Sequence, residues 1–233
     1  MYPCIEIKDE NPFSKGIKKI YDILYTAYGP QDWWPGDSQL EIIIGAILTQ
    51  AVRWKNVEKA IDNLKANGLL DINRLDQIEQ DKLAQLIKPA GYYNMKAKKL
   101  KSFIYFLKED YNSNLDNLAK GKPDKKREEL LEIYGIGPET ADSILLYAFN
   151  KPVFVIDTYT KRILSRIGYI KANISYQKLQ AKIENNLKTD KELYNEYHAL
   201  LVKHAKEHCL KSSPLCKGCP INNFDKEERY VYG

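Results

Sequence analysis

The chain has 233 residues, 44% of them apolar, and its 36 Lys and Arg residues outnumber its 31 Asp and Glu residues. This length and composition fit one large domain or two lobes sharing a core, and they exclude a disordered chain. The net charge of +5 is too small to establish nucleic-acid binding. The longest uncharged apolar run, residues 42–48, is far too short to cross a bilayer. The N-terminal sequence lacks a signal-peptide core, so we expect a cytoplasmic protein.

Apolar residues recur at helical spacing along almost the whole chain. Ile17, Ile20 and Leu24 share one face of a first helix. Ser38 and Glu41 form a capping box before residues 42–48, whose lack of a polar face predicts a central helix. Further helical stripes begin at Val57, Leu83, Leu100 and Leu193. The only strand-like piece, residues 153–156, is too short for a sheet. The pattern predicts an all-α protein of roughly ten helices.

Residues 135–142, with the sequence GIGPETAD, form the most informative segment. Residues 125–134 predict a helix that Gly135 ends, and Pro138 suits the first turn of the next helix. Two helices would thus be joined by a tight Gly-x-Gly hairpin. Gly135 and Gly137 would let a phosphate approach the free amides at the N-terminus of the second helix. A helix–turn–helix corner without a ligand is the alternative.

The full string L-x-x-x-G-I-G-P-x-T-A-D-x-I-L-L, followed by V-F-V-I-D ending at Asp157, resembles the helix-hairpin-helix DNA glycosylase superfamily. The resemblance implies two helical lobes with a DNA-binding cleft between them. One lobe would be a six-helix barrel with the hairpin over residues 38–149. Residues 1–37 and 150–233 would form the other. It also implies a monomer that binds damaged double-stranded DNA away from membranes, with Gly135, Ile136, Gly137 and Thr140 on the DNA.

Asp157 is the catalytic residue that this resemblance implies. Hydrolysis of an N-glycosidic bond develops positive charge on the sugar. A nearby carboxylate would stabilise that charge and orient or deprotonate water. A purely structural alternative is that Asp157 caps the helix that follows it.

Glu139 marks a departure from part of the superfamily. Members similar to endonuclease III carry a lysine two residues after the second glycine, and this lysine forms a Schiff base that leads to strand cleavage. Glutamate cannot form an imine. The sequence therefore predicts a monofunctional glycosylase, without strong lyase activity.

Trp33 and Trp34 precede the first capping box, where superfamily members line the base pocket. Together with the strings G-A-I-L-T-Q (residues 45–50) and K-P-A-G-Y-Y-N (residues 88–94), they resemble the 3-methyladenine DNA glycosylase III subfamily. Alkylated purines are cationic, and indole faces attract cations. Three alternatives stay open: core packing for the tryptophans, a glycosylase for uracil, thymine mismatches or oxidised pyrimidines, and a non-catalytic DNA-binding protein.

Two further positions match places where family members insert side chains into the gap left by a flipped base. They are Gln50 and Tyr92, and an ordinary polar residue at a helix end is the alternative for Gln50. Basic residues also cluster beside the matching segments, which suggests a phosphate footprint. The clusters comprise Lys96, Lys98, Lys99 and Lys101; Lys122, Lys125, Lys126 and Arg127; and Lys161 and Arg162.

Cys209, Cys216 and Cys219 match the first three ligands of the endonuclease III-type iron–sulfur loop. The fourth place holds Asp225 instead of cysteine. We expect an iron–sulfur cluster held by three thiolates together with a carboxylate or solvent. Zinc with His204 or His208 as fourth ligand, or no metal, are the alternatives.

Overall fold

The computed structural model describes residues 5–33, 36–222 and 224, and the regular secondary structure of this part is helical apart from one isolated bridge between Ile7 and Leu187. It contains twelve α-helices, one 3₁₀ turn and one π-helical segment, which confirms the all-α prediction. Within the described residues, none of the helices is long and apolar enough to span a membrane. The chain divides into two compact units. We call Trp34–Lys151 the hairpin unit, and Met1–Trp33 with Pro152–Gly233 the terminal unit.

The hairpin unit is built around a short, almost wholly buried helix. This helix, α2, begins after Ser38, whose side chain accepts the N–H of Glu41, as the capping box predicts. Its residues Ile43, Ile44, Ile47 and Leu48 are completely buried or nearly so. The helices of the unit are α2 (Gln39–Leu48), α3 (Trp54–Ala66), α4 (Ile72–Gln77), α5 (Gln80–Leu86), α6 (Tyr93–Tyr111), α7 (Leu115–Ala119), α8 (Pro123–Leu131) and α9 (Pro138–Ser143). The 3₁₀ turn is Lys88–Ala90, and α9 continues as the π-helical segment Ile144–Ala148.

The terminal unit packs its first and last helices together through aromatic rings. Its helices are α1 (Pro12–Tyr28), α10 (Thr158–Arg166), α11 (Tyr176–Glu184) and α12 (Lys191–Glu207). The ring of Tyr197 on α12 meets Tyr21 of α1 edge-on, with 5.3 Å between the ring centroids. The Tyr197 hydroxyl donates to the carbonyl oxygen of Ile17 at 2.6 Å. This buried contact fixes α12 against α1.

Residues 153–156 form no strand, although their composition is strand-like. They run extended and buried, and side chains of α11 take the place of a neighbouring strand. Glu184 accepts the N–H of Phe154 at 2.7 Å, and Gln180 donates to the Phe154 carbonyl at 2.8 Å. The Tyr176 hydroxyl accepts the N–H of Ile156 at 3.2 Å. These bonds satisfy the buried backbone and fix the segment that leads into Asp157.

Candidate functional site

The hairpin differs from the sequence prediction at its first helix. Helix α8 ends at Leu131, because the N–H of Ile133 bonds to the Leu130 carbonyl in a tight turn. Gly135 therefore does not cap the helix directly. It still adopts a positive φ of 83°, and a Cβ atom there would lie 2.3 Å from the side chain of Lys99. A Cβ at Gly137 would meet no atom within 4 Å, so the space beside the first amides of α9 is open.

A buried ion pair joins the two helices of the hairpin. Asp142 on α9 is completely buried, and Arg127 on α8 donates to its two oxygens at 2.7 and 3.2 Å. This forked geometry holds both side chains in one orientation. Ile136, which the resemblance places on the DNA, is buried. The hairpin is therefore a stiff element.

Gln50 contacts the hairpin directly. Its side-chain amide donates to the Gly135 carbonyl at 3.1 Å and to the Thr140 hydroxyl at 2.9 Å. Lys99 donates to its side-chain oxygen. The structure thus brings together Gln50, Gly135 and Thr140, three residues that the sequence assigned to DNA binding.

Lys96 connects the end of α2, which precedes Gln50, to the 3₁₀ turn, which precedes Tyr92. It is buried, and its ammonium donates to the carbonyl oxygens of Leu48 and Ala90 at 2.8 Å each. Burial, with a smaller contribution from Lys99, lowers the pKa of Lys96 to about 8. Tyr92 itself is 76% exposed and adopts a left-handed φ of 48°. Such strain in an exposed aromatic residue is common at functional sites.

Many of the basic side chains predicted to contact phosphates instead bond to groups within the protein. Lys101 donates to the carbonyls of Leu75 and Asp76, and Lys126 pairs with Glu129. Arg162 donates to the Cys209 carbonyl. Lys96 is buried and Arg127 pairs with Asp142. Neither therefore belongs to the phosphate footprint. Exposed members that remain are Lys98, Lys122 and Lys125.

Asp157 lies at the N-terminus of α10 and is buried. Its Oδ1 atom accepts the N–H of Thr160 at 2.7 Å, so it caps the helix as the structural alternative required. Its Oδ2 atom lies 3.6 Å from Nε2 of His198 on α12. Burial alone would raise the pKa of this carboxyl, but His198 and the Thr160 contacts hold the pKa below its usual value. The helix cap thus uses Oδ1 of the carboxylate, and Oδ2 faces His198.

Trp33 is partly buried in the terminal unit. The ammonium of Lys206 on α12 lies 5.6 Å from the centroid of its ring. The indole thus accepts a cation in the structure. Trp34, the other predicted pocket residue, lies outside the described residues.

The cysteine loop follows α12. Nε2 of His204 lies 3.7 Å from Sγ of Cys219, and its Nδ1 lies 2.9 Å from the Tyr28 hydroxyl. Cys209 is buried beside Arg166, whereas Cys216 is exposed. In the described part of the chain, no three His, Cys, Asp or Glu side chains are arranged to hold a metal ion. Asp225 lies outside that part, so the described residues do not by themselves make a complete metal centre.

Sequence reasoning missed His198, Lys96 and the Asp142–Arg127 pair as site-forming residues. A lysine or arginine in a basic cluster indicates a solvated surface, and the sequence gives no sign of its burial. His198 stands on the apolar face of α12, where a histidine is usually an interface residue. The sequence could have predicted a partner for Asp142, because a carboxylate just before the apolar residues 144–148 requires one when it is buried.

Comparison with known proteins identifies the family. A family model described as HhH-GPD superfamily base excision DNA repair protein matches residues 44–189. A provisionally named DNA repair glycosylase of Methanocaldococcus jannaschii is 49% identical over 217 residues, 92% of this chain and 97% of that protein. Endonuclease III of Thermotoga maritima is 28% identical over 186 residues, 78% of this chain and 80% of its own length.

Two solved structures give the same result for the fold. An endonuclease III in a non-covalent DNA complex superposes with a TM-score of 0.78 at 21% identity, covering 93% of this chain and 96% of that chain. The H. pylori 3-methyladenine DNA glycosylase bound to 1,N6-ethenoadenine superposes with a TM-score of 0.69 at 29% identity, covering 84% and 98%. The chain therefore belongs to the HhH-GPD superfamily of base excision DNA repair proteins, as an endonuclease III-like enzyme of the DNA glycosylase family.

Proposed function

We propose that this enzyme hydrolyses the N-glycosidic bond of a damaged nucleotide flipped out of duplex DNA, with Asp157 as its catalytic carboxylate. The observation that supports this most strongly is the state of Asp157. The side chain is buried, its pKa lies below the usual value, and only Oδ1 is used by the helix cap. Oδ2 takes no part in the cap and lies 3.6 Å from Nε2 of His198.

The carboxylate would act on the charge that develops as the bond breaks. Departure of the base leaves an oxocarbenium-like sugar, and a fixed negative charge beside it lowers the barrier in a water-poor site. Oδ2 can also accept a proton from the attacking water. The base leaves with the bonding electron pair, and water supplies the hydroxyl group at the sugar carbon.

Duplex DNA would bind to the hairpin unit. The open space at Gly137 and the first amides of α9 suit a phosphate oxygen. Gln50 and Tyr92 are the side chains that we propose to enter the gap in the duplex. Gln50 must then release its hydrogen bonds to Gly135 and Thr140.

The reaction would stop at base removal. The side chain at the lysine's place in the hairpin is Glu139, which is exposed and offers no amine. We therefore expect hydrolysis by water and no strong strand cleavage.

An alkylated purine such as 3-methyladenine is the substrate we propose. The Lys206 ammonium over Trp33 shows that this indole attracts positive charge, and a cationic base would gain from the same ring once that ammonium has moved aside. The relationship to the H. pylori 3-methyladenine DNA glycosylase, at 29% identity, supports this choice. A uracil, thymine-mismatch or oxidised-pyrimidine glycosylase is the second candidate, favoured by the similarity to endonuclease III.

A base-release assay on matched duplexes tests the proposal. Duplexes with 3-methyladenine, uracil, a G·T mismatch or an oxidised pyrimidine are incubated with excess enzyme. We expect 3-methyladenine to be released fastest, and borohydride to trap no covalent complex. Release of thymine or uracil alone would favour the second candidate, and efficient trapping would contradict the monofunctional assignment.

For the cysteine loop we propose an iron–sulfur cluster, because three cysteines stand at the required spacing. We expect iron and acid-labile sulfide, with visible absorption, in protein isolated without oxygen. Stoichiometric zinc in the same preparation would establish the zinc alternative, and a metal-free folded protein would contradict both.

A further inference from the structure

Asp157 and His198 form a buried pair within the terminal unit. Their side chains are only 9% and 6% exposed, and Oδ2 of Asp157 lies 3.6 Å from Nε2 of His198. His198 stands on α12, whose neighbouring tyrosine Tyr194 packs edge-on against Phe154. The helix that carries the imidazole is thus packed against the extended segment that carries the aspartate.

The two carboxylate oxygens have different partners. Oδ1 accepts the N–H of Thr160 at 2.7 Å, a bond that belongs to the helix cap. A hydrogen bond to Oδ1 alone would let the carboxylate group rotate about its Cβ–Cγ bond. The imidazole beside Oδ2 provides the second point of contact, and two points define the plane of the group.

We propose that His198 is a positioning residue for Asp157, holding Oδ2 in the orientation that the hydrolytic reaction requires. This inference rests on the proposed function, since it assigns to His198 a role that acts only through Asp157. His198 itself would touch neither the base nor the sugar.

Misplacement of a reacting group by about 1 Å can lower a rate by about a hundredfold. We therefore expect His198→Phe, which keeps the ring and removes both nitrogens, to lower the single-turnover rate of base release by about tenfold to a hundredfold. Affinity for the damaged duplex should stay within about twofold. His198→Gln, whose amide can again donate near Oδ2, should recover much of the rate.

A matched control comes from the same helix. Tyr194→Phe also removes a buried polar atom from α12, but the electrostatic neighbours of this hydroxyl are Glu184, Thr189 and Asp190. It should leave the rate unchanged. Thermal unfolding of each variant shows whether a lost rate reflects a lost fold.

The Asp157→Asn background separates the inference from the function on which it rests. There, His198→Phe should cause no further loss. If Asp157→Asn is inactive and His198→Phe is fully active, the positioning role is wrong and the function stands. If Asp157→Asn is fully active, the proposed catalytic role fails. Equal loss of rate in the Phe and Gln variants, or a weakened duplex affinity alone, would also overturn the positioning role.

Discussion

We propose that substrate choice depends on Trp33. Lys206 shows that its ring attracts positive charge, and a cation–π contact is worth about 0.5–2 kcal/mol. Trp33→Leu keeps apolar bulk and removes the π face. We expect release of 3-methyladenine to slow by about 2- to 30-fold, the rate change equivalent to that energy. Binding to undamaged duplex, measured by fluorescence anisotropy, should change much less.

Trp54→Leu is the control for this prediction. Trp54 is an indole of the hairpin unit whose N–H donates to Glu58 at 2.9 Å. An equal loss of release in both variants would show that Trp33 contributes packing or stability, and would contradict charge recognition.

At the scale of elements, Lys96 joins the ends of α2 and of the 3₁₀ turn. Burial disfavours the charged form of Lys96, so folding favours loss of its proton, and the neutral amine can still donate to both carbonyls. Because the pKa of Lys96 is about 8 in the folded protein and has its ordinary value of 10.5 in the unfolded chain, the unfolded chain binds more protons between these two pH values. The contribution of Lys96 to stability should therefore rise as the pH increases from 8 towards 10.5, and should be constant below 8.

Lys96→Met tests this contribution. The variant should have a free energy of unfolding lower by about 1–3 kcal/mol at neutral pH, since two buried carbonyls lose their donor. The difference from the wild-type protein, measured by urea unfolding, should widen above pH 8. Lys120→Met, at an exposed lysine whose ammonium donates to Asn117 at 2.9 Å, provides the baseline. A difference that is flat or shrinks from pH 8 to pH 10 would contradict the low pKa.

Local elements could be predicted from the sequence because their causes are local. The Ser38 cap, the apolar faces of α1 and α6, and the glycines of the hairpin each depend on residues within a turn or two. The end of α8 could not be predicted, since residues 132–134 contain no glycine or proline that would end a helix, and the turn at Ile133 appears only in the structure. The extended segment 153–156 has strand-like composition, yet α11 supplies its hydrogen bonds.

On the scale of the whole molecule, the sequence identifies the family and proposes Asp157, but it does not show what surrounds that carboxylate. The contact with His198 joins α10 to α12, elements distant along the chain, and no local pattern encodes it. Likewise, Lys96 and Arg127 look like surface charges in the sequence and prove to be structural. Tertiary packing decides which charged side chains reach solvent. Fewer basic residues can therefore contact phosphates than the sequence predicted.

The single-turnover rate of 3-methyladenine release by Asp157→Asn is the decisive measurement for Asp157 as the catalytic carboxylate. Asparagine keeps the size of the side chain and an oxygen for the Thr160 cap, but removes the negative charge. Because that charge acts in the transition state, we expect a nearly complete loss of release with duplex affinity retained. A folded Asp157→Asn protein that releases the base at the wild-type rate would contradict it.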